Sequence, residues 1–330
     1  MEKDEKINLI LQMGNVVVGI LKSKLTGCEY SLPDNVDFEK LYQFCEMHKV
    51  TSLVAGYIIK CDDIKPETKM LFQKQLFRCA ARHTAQEKEM YSLTKMFTEN
   101  NIKHCFLKGT KVSCYYPEPE LRFMLDMDIY IEPDKFLQAR SLMENSGYEV
   151  ISIESDKDIA LSKKPFLNID LHKELKYDYD LGYEFYENVN ERLIALENSC
   201  EKKMSNEELY VYLLSHTAHH FATAGTGIKS VIDHYYILKN LLPECDGQVL
   251  LEYLNQSGLK GFNETFTKLT KFWFMNGEVD ETIKEMSDYV ILSGAYGTDV
   301  NFYVNSVLRS GEKKKNYYKT RLFPDYEIMC

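Results

Sequence analysis

Two aspartates one residue apart, Asp126 and Asp128, lie in a run where Leu125, Met127, Ile129 and Ile131 alternate with Asp126, Asp128, Tyr130 and Glu132. A period of two is that of a β-strand, so both carboxylates leave one face. The run 166–172 repeats the pattern: Leu167, Ile169 and Leu171 face one way, and Asn168, Asp170 and His172 face the other. Three carboxylates on neighbouring strands make a hard oxygen cluster suited to Mg²⁺ or Mn²⁺. Two such ions can clamp a triphosphate and activate an acceptor hydroxyl in line with it. His172, on the polar face beyond Asp170, is placed to orient a carboxylate or a metal-bound water.

Upstream of the paired aspartates, Leu107-Lys108-Gly109-Thr110 ends an apolar run and enters a helix. Unpaired backbone N–H groups, the positive end of a helix and a lysine at one point are what phosphate binding requires. This nominates Lys108, Gly109 and Thr110. Arg122, just before the aspartates, carries a planar fork that can reach a phosphate. The plain alternatives are that Gly109 only turns the chain and that Lys108 and Arg122 are surface charges. The order of the parts, a grip, then a fork, then the acids, favours chemistry.

These residues carry a resemblance. Phe106-Leu107-Lys108-Gly109, Tyr116-Pro117-Glu118-Pro119, Leu121-Arg122-Phe123-Met124-Leu125-Asp126-Met127-Asp128-Ile129 and Ile169-Asp170-Leu171-His172 together resemble the uncharacterised bacterial nucleotidyltransferase family of the polymerase-beta-like superfamily. Weaker echoes follow at His216-Thr217-Ala218-His219-His220, at Gly227-Ile228-Lys229 with Asp233, and at Arg321-Leu322-Phe323-Pro324. The resemblance implies a small mixed sheet with helices packed on it, two divalent metals and a nucleoside triphosphate as donor. It makes Asp126 and Asp128 metal ligands, makes Asp170 the third carboxylate that draws the proton from the acceptor, and puts Lys108 and Gly109 at the triphosphate. Lys-Gly-Thr stands where the superfamily usually has Gly-Ser, Leu125 where a small residue is usual, and Lys229 where an arginine is usual.

Elements of known period must hold these residues. Ile102 to Leu107 reads as a short buried strand, and Thr110 to Tyr116 as a helix broken by Pro117 and Pro119. Pro133 to Ser146, with Phe136, Leu137, Leu142 and Met143, reads as a helix that starts at proline and stops before Gly147. Tyr148 to Ile153, Ile159 to Lys163 and Phe166 to His172 follow as strands. Before this unit everything points to helix: Ile7 to Leu21, Asp37 to Ile59, and a long run opened by Pro66. In that run Met70, Phe72, Leu76, Phe77, Ala80, Met90, Leu93, Met96 and Phe97 recur at helical spacing and read as core. After the unit, Ser205-Asn206-Glu207-Glu208 is a capping box opening a helix through Phe221. A second helix runs from Ile228 to Leu241, and more reach about Arg309. The expectation is an α+β protein with a small mixed β-sheet nucleotidyltransferase core at 99–180, an N-terminal helical domain at 1–98 and a C-terminal helical domain at 181–330.

Composition narrows the partners. At 330 residues, 45% hydrophobic and 27% charged, the chain is globular with room for two or three domains. A net charge of −10 works against sequence-independent attraction to nucleic acid or anionic membrane and favours a small-molecule partner, so that beside the nucleoside triphosphate donor implied by the resemblance a small-molecule hydroxyl or phosphate acceptor is expected. Nine scattered cysteines without a C-x-x-C pair suit a reducing cytoplasm. Ile7 to Leu21 is uncharged but holds Asn8, Gln12, Gly14 and Asn15, and reads as too short and too polar to span a bilayer.

Two other functions fit the same residues. One is nucleotidyl transfer to RNA or protein, for which the basic stretch from Arg309 to Arg321 would help to supply a groove. The other is a non-catalytic nucleotide-binding or scaffold protein. His216, His219 and His220 share one side of a helix and read as packed histidines ahead of zinc ligands or pocket lining. Tyr115 and Tyr116 either stack on a base or fill the core.

Overall fold

The computed structural model describes residues 3–153, 155, 157–175, 185, 189–298 and 301. The basic stretch at 309–321 and the motif at 321–324 lie outside these residues. The N-terminal third is helical: α1 (Lys3–Thr26), α2 (Phe38–Met47), α3 (Thr51–Ile58) and α4 (Pro66–Glu99). Asp37 caps α2 by accepting from the backbone N–H groups of Glu39 and Lys40 at 3.2 and 3.1 Å. The segment expected to be one helix from Asp37 to Ile59 breaks at Lys49, whose φ is +55°. In α4 the expected stripe is inward only in part. Phe72, Leu93 and Phe97 are buried, but Met70 and Phe77 are 61% and 77% exposed, and Cys79 and Gln86 take inward places.

Five strands form one mixed sheet: β1 (His104–Phe106), β2 (Met127–Ile131), β3 (Glu149–Ile153), β4 (Asp158–Lys163) and β5 (Leu167–His172), in the order β1-β2-β5-β4-β3. Only β2 and β5 are parallel. A single turn, α5 (Gly109–Ser113), links β1 towards β2 and is shorter than the expected helix; α6 (Phe136–Asn145) follows β2. Phe136, Ala139 and Met143 point α6 inward, while Leu137, expected in its core stripe, is 68% exposed.

Beyond the sheet come α7 (Val189–Arg192), the small hairpin β6 (Ile194–Ala195) and β7 (Lys202–Lys203), α8 (Asn206–Thr223), α9 (Ile228–Tyr236), α10 (Gly247–Gln256), α11 (Lys260–Phe274) and α12 (Glu281–Ser293). The hairpin was not legible beforehand. The capping box is present: the Ser205 hydroxyl accepts from the Glu208 N–H at 3.1 Å and the Glu208 carboxylate from the Ser205 N–H at 3.3 Å. A π-helical turn, Ile237–Leu241, carries α9 on to the break before Pro243.

The apolar side chains gather in two clusters. One lies between α4, α6 and one face of the sheet, with Met127, Ile129, Ile131, Ile169 and Leu171 at its centre. The larger joins α1–α3 to α8–α12, so the helices from the two ends of the chain share a core. Among the described residues one helical segment, Ile7–Thr26, which runs on past the uncharged stretch ending at Leu21, is long and apolar enough by length and composition alone to cross a membrane. Within it Val17, Ile20 and Leu21 are buried in the larger cluster. All eight cysteines among the described residues are free.

Candidate active site

The register of β2 on β5 pairs Asp128 with Asp170 and Tyr130 with His172. Neighbouring strands lie about 4.8 Å apart, so Asp128 and Asp170 leave the same face side by side. Their opposite face, with Met127, Ile129, Ile169 and Leu171, is sealed against α4 and α6. Alternation thus explains the site directly: apolar residues anchor the sheet, and the carboxylates are left facing a cavity of about 490 Å³. Asp126 lines that cavity just before β2 begins. The expected alternation fails only at Leu125, which is 40% exposed because the strand starts at Met127.

Lys108 closes the cluster from β1. Its Nζ donates to Asp128 Oδ1 at 2.5 Å, and His172 Nε2 lies 2.9 Å from the same oxygen. His172 Nδ1 in turn lies 2.6 Å from Asp158 Oδ1, its neighbour across the β4–β5 pair. Lys108 adopts φ +45°, a left-handed conformation that costs a side-chain-bearing residue about 1–3 kcal/mol. Burial opposes the charged form of Asp128, but Lys108 and His172 outweigh it and hold the carboxyl well below its usual range. Asp126 is pushed up by burial and by the Asp128 charge. Burial, with the charges of Asp126 and Asp128, pushes Asp170 up to about 6. Burial works against protonated His172, yet its bonds to Asp128 and Asp158 raise it to about 9.

The other expected grip residues are placed differently. Thr110 is buried and its hydroxyl donates to the Leu107 carbonyl at 2.7 Å, so it braces the turn and does not line the cavity. With α5 a single turn, its dipole is small. Gly109 does line the cavity, and a Cβ there would stand 2.7 Å from Met124 Sδ and 3.1 Å from Arg122 Nη1. Arg122, expected at a phosphate, has its fork on Asp233: Nε and Nη2 each donate to a carboxylate oxygen at 2.8 Å. The Tyr116 hydroxyl and Lys229 Nζ complete the set on Asp233 at 2.6 and 3.0 Å. Tyr116 is therefore core, packed on Tyr236 with ring centres 4.2 Å apart.

This quartet ties the loop between α5 and β2 to α9. The Ser52 hydroxyl adds a bond to the Leu121 carbonyl and the Gln86 amide one to the Met124 carbonyl. The far wall is α8, where His216 and His220 meet Nε2 to Nε2 at 3.2 Å inside the cavity. Burial keeps both neutral, His220 at about 4. They are packed histidines that also line the pocket.

The sequence profile of a family described as "Uncharacterised nucleotidyltransferase" matches residues 34–275, a span that takes in the sheet, the three aspartates and helices α8 to α11. The chain belongs to this family. No curated protein and no solved structure matches it.

Membership in a nucleotidyltransferase family makes the fit of divalent cations a question of donor chemistry. Among the described residues no group of three or more His, Cys, Asp or Glu side chains is arranged to hold an ion. Asp128 gives Oδ1 to two cationic partners instead. The donors still fit: they are all carboxylate oxygens, the Lys108 ammonium stands as a cation on Asp128, and burial together with neighbouring carboxylate charge raises both Asp126 and Asp170. Sequence reasoning missed Asp158, the orienting partner of His172. Nor did it find the pairing of Arg122 with Asp233, 111 residues away, for which no local pattern exists.

Proposed function

We propose that this nucleotidyltransferase-family chain moves a nucleoside monophosphate from a nucleoside triphosphate to a hydroxyl or phosphate group of a small-molecule acceptor, releasing pyrophosphate. The observation that carries the reading is the register that sets Asp128 beside Asp170 on the cavity wall, with Asp126 adjoining. These three carboxylates would hold Mg²⁺ or Mn²⁺, which when bound neutralises triphosphate charge and makes the acceptor more acidic. Asp170, raised to about 6, is the carboxylate suited to take the acceptor proton near neutral pH. His172, held by Asp158, keeps Asp128 charged and oriented. Lys108 Nζ balances Asp128 and reaches the triphosphate from there, while the close approach at Gly109 lets the backbone line the pocket. Arg122 serves by fixing the loop through Asp233. The eight free cysteines among the described residues support a reducing, cytoplasmic setting.

The test is pyrophosphate release from each nucleoside triphosphate, with Mg²⁺ or Mn²⁺, over a panel of hydroxyl and phosphate acceptors. Asp126→Ala and Asp128→Ala are each expected to lower the rate by about a thousandfold, the scale of several kcal/mol of charge stabilisation. Unchanged release in either variant would sink the assignment.

A further inference from the structure

Five side chains from five stretches of the chain meet at the mouth of the cavity. Lys49 Nζ lies 5.5 Å from the centre of the Phe123 ring and 5.8 Å from that of Tyr296. The Arg82 guanidinium lies 5.0 Å from the Phe123 ring and 5.6 Å from the Phe166 ring. Rings and cations therefore alternate along the rim: Tyr296, Lys49, Phe123, Arg82, Phe166. Lys49, Phe123 and Tyr296 line the same cavity as Asp126. Burial, and the nearby Asp126 charge, raise the Tyr296 phenol.

These two cations differ from the others around the site. Lys108, Arg122 and Lys229 each face a carboxylate at 3.0 Å or less. Among the described residues neither Lys49 nor Arg82 has an ion-pair partner, and the buried Nε of Arg82 has no hydrogen-bond acceptor. In a chain with 50 acidic and 40 basic residues, two neighbouring cations beside the cavity of Asp126 that pair with no carboxylate are left with charge to offer a ligand. Lys49 and Phe166 also hold left-handed backbone, at φ +55° and +71°. Such conformations are unfavourable for residues with a Cβ and gather where a side chain is needed in one place. The plain reading is that rings and cations merely cover one another. It explains neither the unpaired charge of the two cations nor the orphaned Nε.

We infer that this rim recognises a nucleotide: a base stacks on Phe123 or Tyr296 while Lys49 and Arg82 take its phosphates. The inference rests on the reading that Asp126 marks the transfer centre. Aromatic platforms combined with cations bind bases and phosphates with little sequence preference. The base belongs either to the donor triphosphate or to a terminal nucleotide of an acceptor strand, and both present the same chemistry.

The experiment is equilibrium binding to the full chain in Mg²⁺, with non-transferable α,β-methylene triphosphates in one arm and a short fluorescent single-stranded oligonucleotide in the other. Phe123→Leu, Tyr296→Leu and the double variant Lys49→Gln/Arg82→Gln are compared with wild type, with thermal melting to show that each is folded. At least one ring substitution is expected to weaken binding by on the order of tenfold, and the double variant to flatten its salt dependence. Weaker triphosphate binding assigns the rim to the donor. Weaker oligonucleotide binding alone assigns it to the acceptor. Wild-type affinity for both in every folded variant, or no binding of either by wild type, overturns the inference. Rim-dependent binding without pyrophosphate release under any condition overturns the transfer reading alone.

Discussion

His48 tests the packing behind the cavity wall. Its Nε2 lies 3.0 Å from the Ile291 carbonyl, and its Nδ1 accepts the Ile228 N–H at 3.1 Å. Those bonds select the neutral tautomer with the proton on Nε2, and a second proton on Nδ1 would evict the Ile228 N–H. Burial holds the imidazole down to about 4, against the bond to Ile291, whereas a histidine in an unfolded chain titrates near 6.5. Between these values the unfolded state binds more protons, so stability falls as pH drops through the window. One unit is worth about 1.4 kcal/mol, so at about pH 5 His48 alone removes about 2 kcal/mol. His48→Gln loses the fitted ring, and is expected to be about 1–3 kcal/mol less stable than wild type at neutral pH. About 2 kcal/mol of that gap should close by pH 5, because the variant no longer takes up the proton on unfolding. Urea midpoints of both proteins across the window measure this. Parallel pH profiles would refute the reasoning.

Three further outcomes follow from the site. Asp233→Asn turns an amide N–H₂ towards Arg122 or Lys229 and leaves buried charge uncompensated, so a loss of about 3 kcal/mol in urea denaturation is expected; a loss below about 1 kcal/mol would remove the quartet as the anchor of the loop. Gly109→Ala forces Met124 aside and is expected to cost about 1–2 kcal/mol and to depress pyrophosphate release, with an unshifted melting curve as the contrary result. Asp170→Asn removes a carboxylate from beside Asp126 and Asp128 and is expected to abolish release while raising stability by about 1 kcal/mol. A lower melting temperature would contradict the repulsion.

The parts of the site that the sequence made legible are those governed by short periods. Alternation in β2 and β5 survives folding because one face of each strand must be apolar to pack on α4 and α6, which leaves Asp128, Asp170 and His172 on the other. The capping box of α8 is local for the same reason. What escaped is decided by tertiary pairing. Arg122 is a plausible phosphate ligand until Asp233 arrives from α9, and Met70 and Phe77 read as core until the partner helices turn out to lie on the other side of α4. The rim is contributed by five stretches, each holding one ordinary aromatic or basic residue, so it carries no pattern along the chain.

The shared core of the two chain ends bears on how the protein is made. His48 reaches Ile291 across 243 residues. At ribosomal rates of about 5–20 residues per second, α1–α3 emerge on the order of ten to fifty seconds before α12 can cover them. For that interval Val17, Ile20, Leu21 and Val54 present an open apolar surface. The early helices therefore wait for the C-terminal ones to complete their core, and the sheet that carries Asp128 and Asp170 is synthesised before the α8 wall of its cavity.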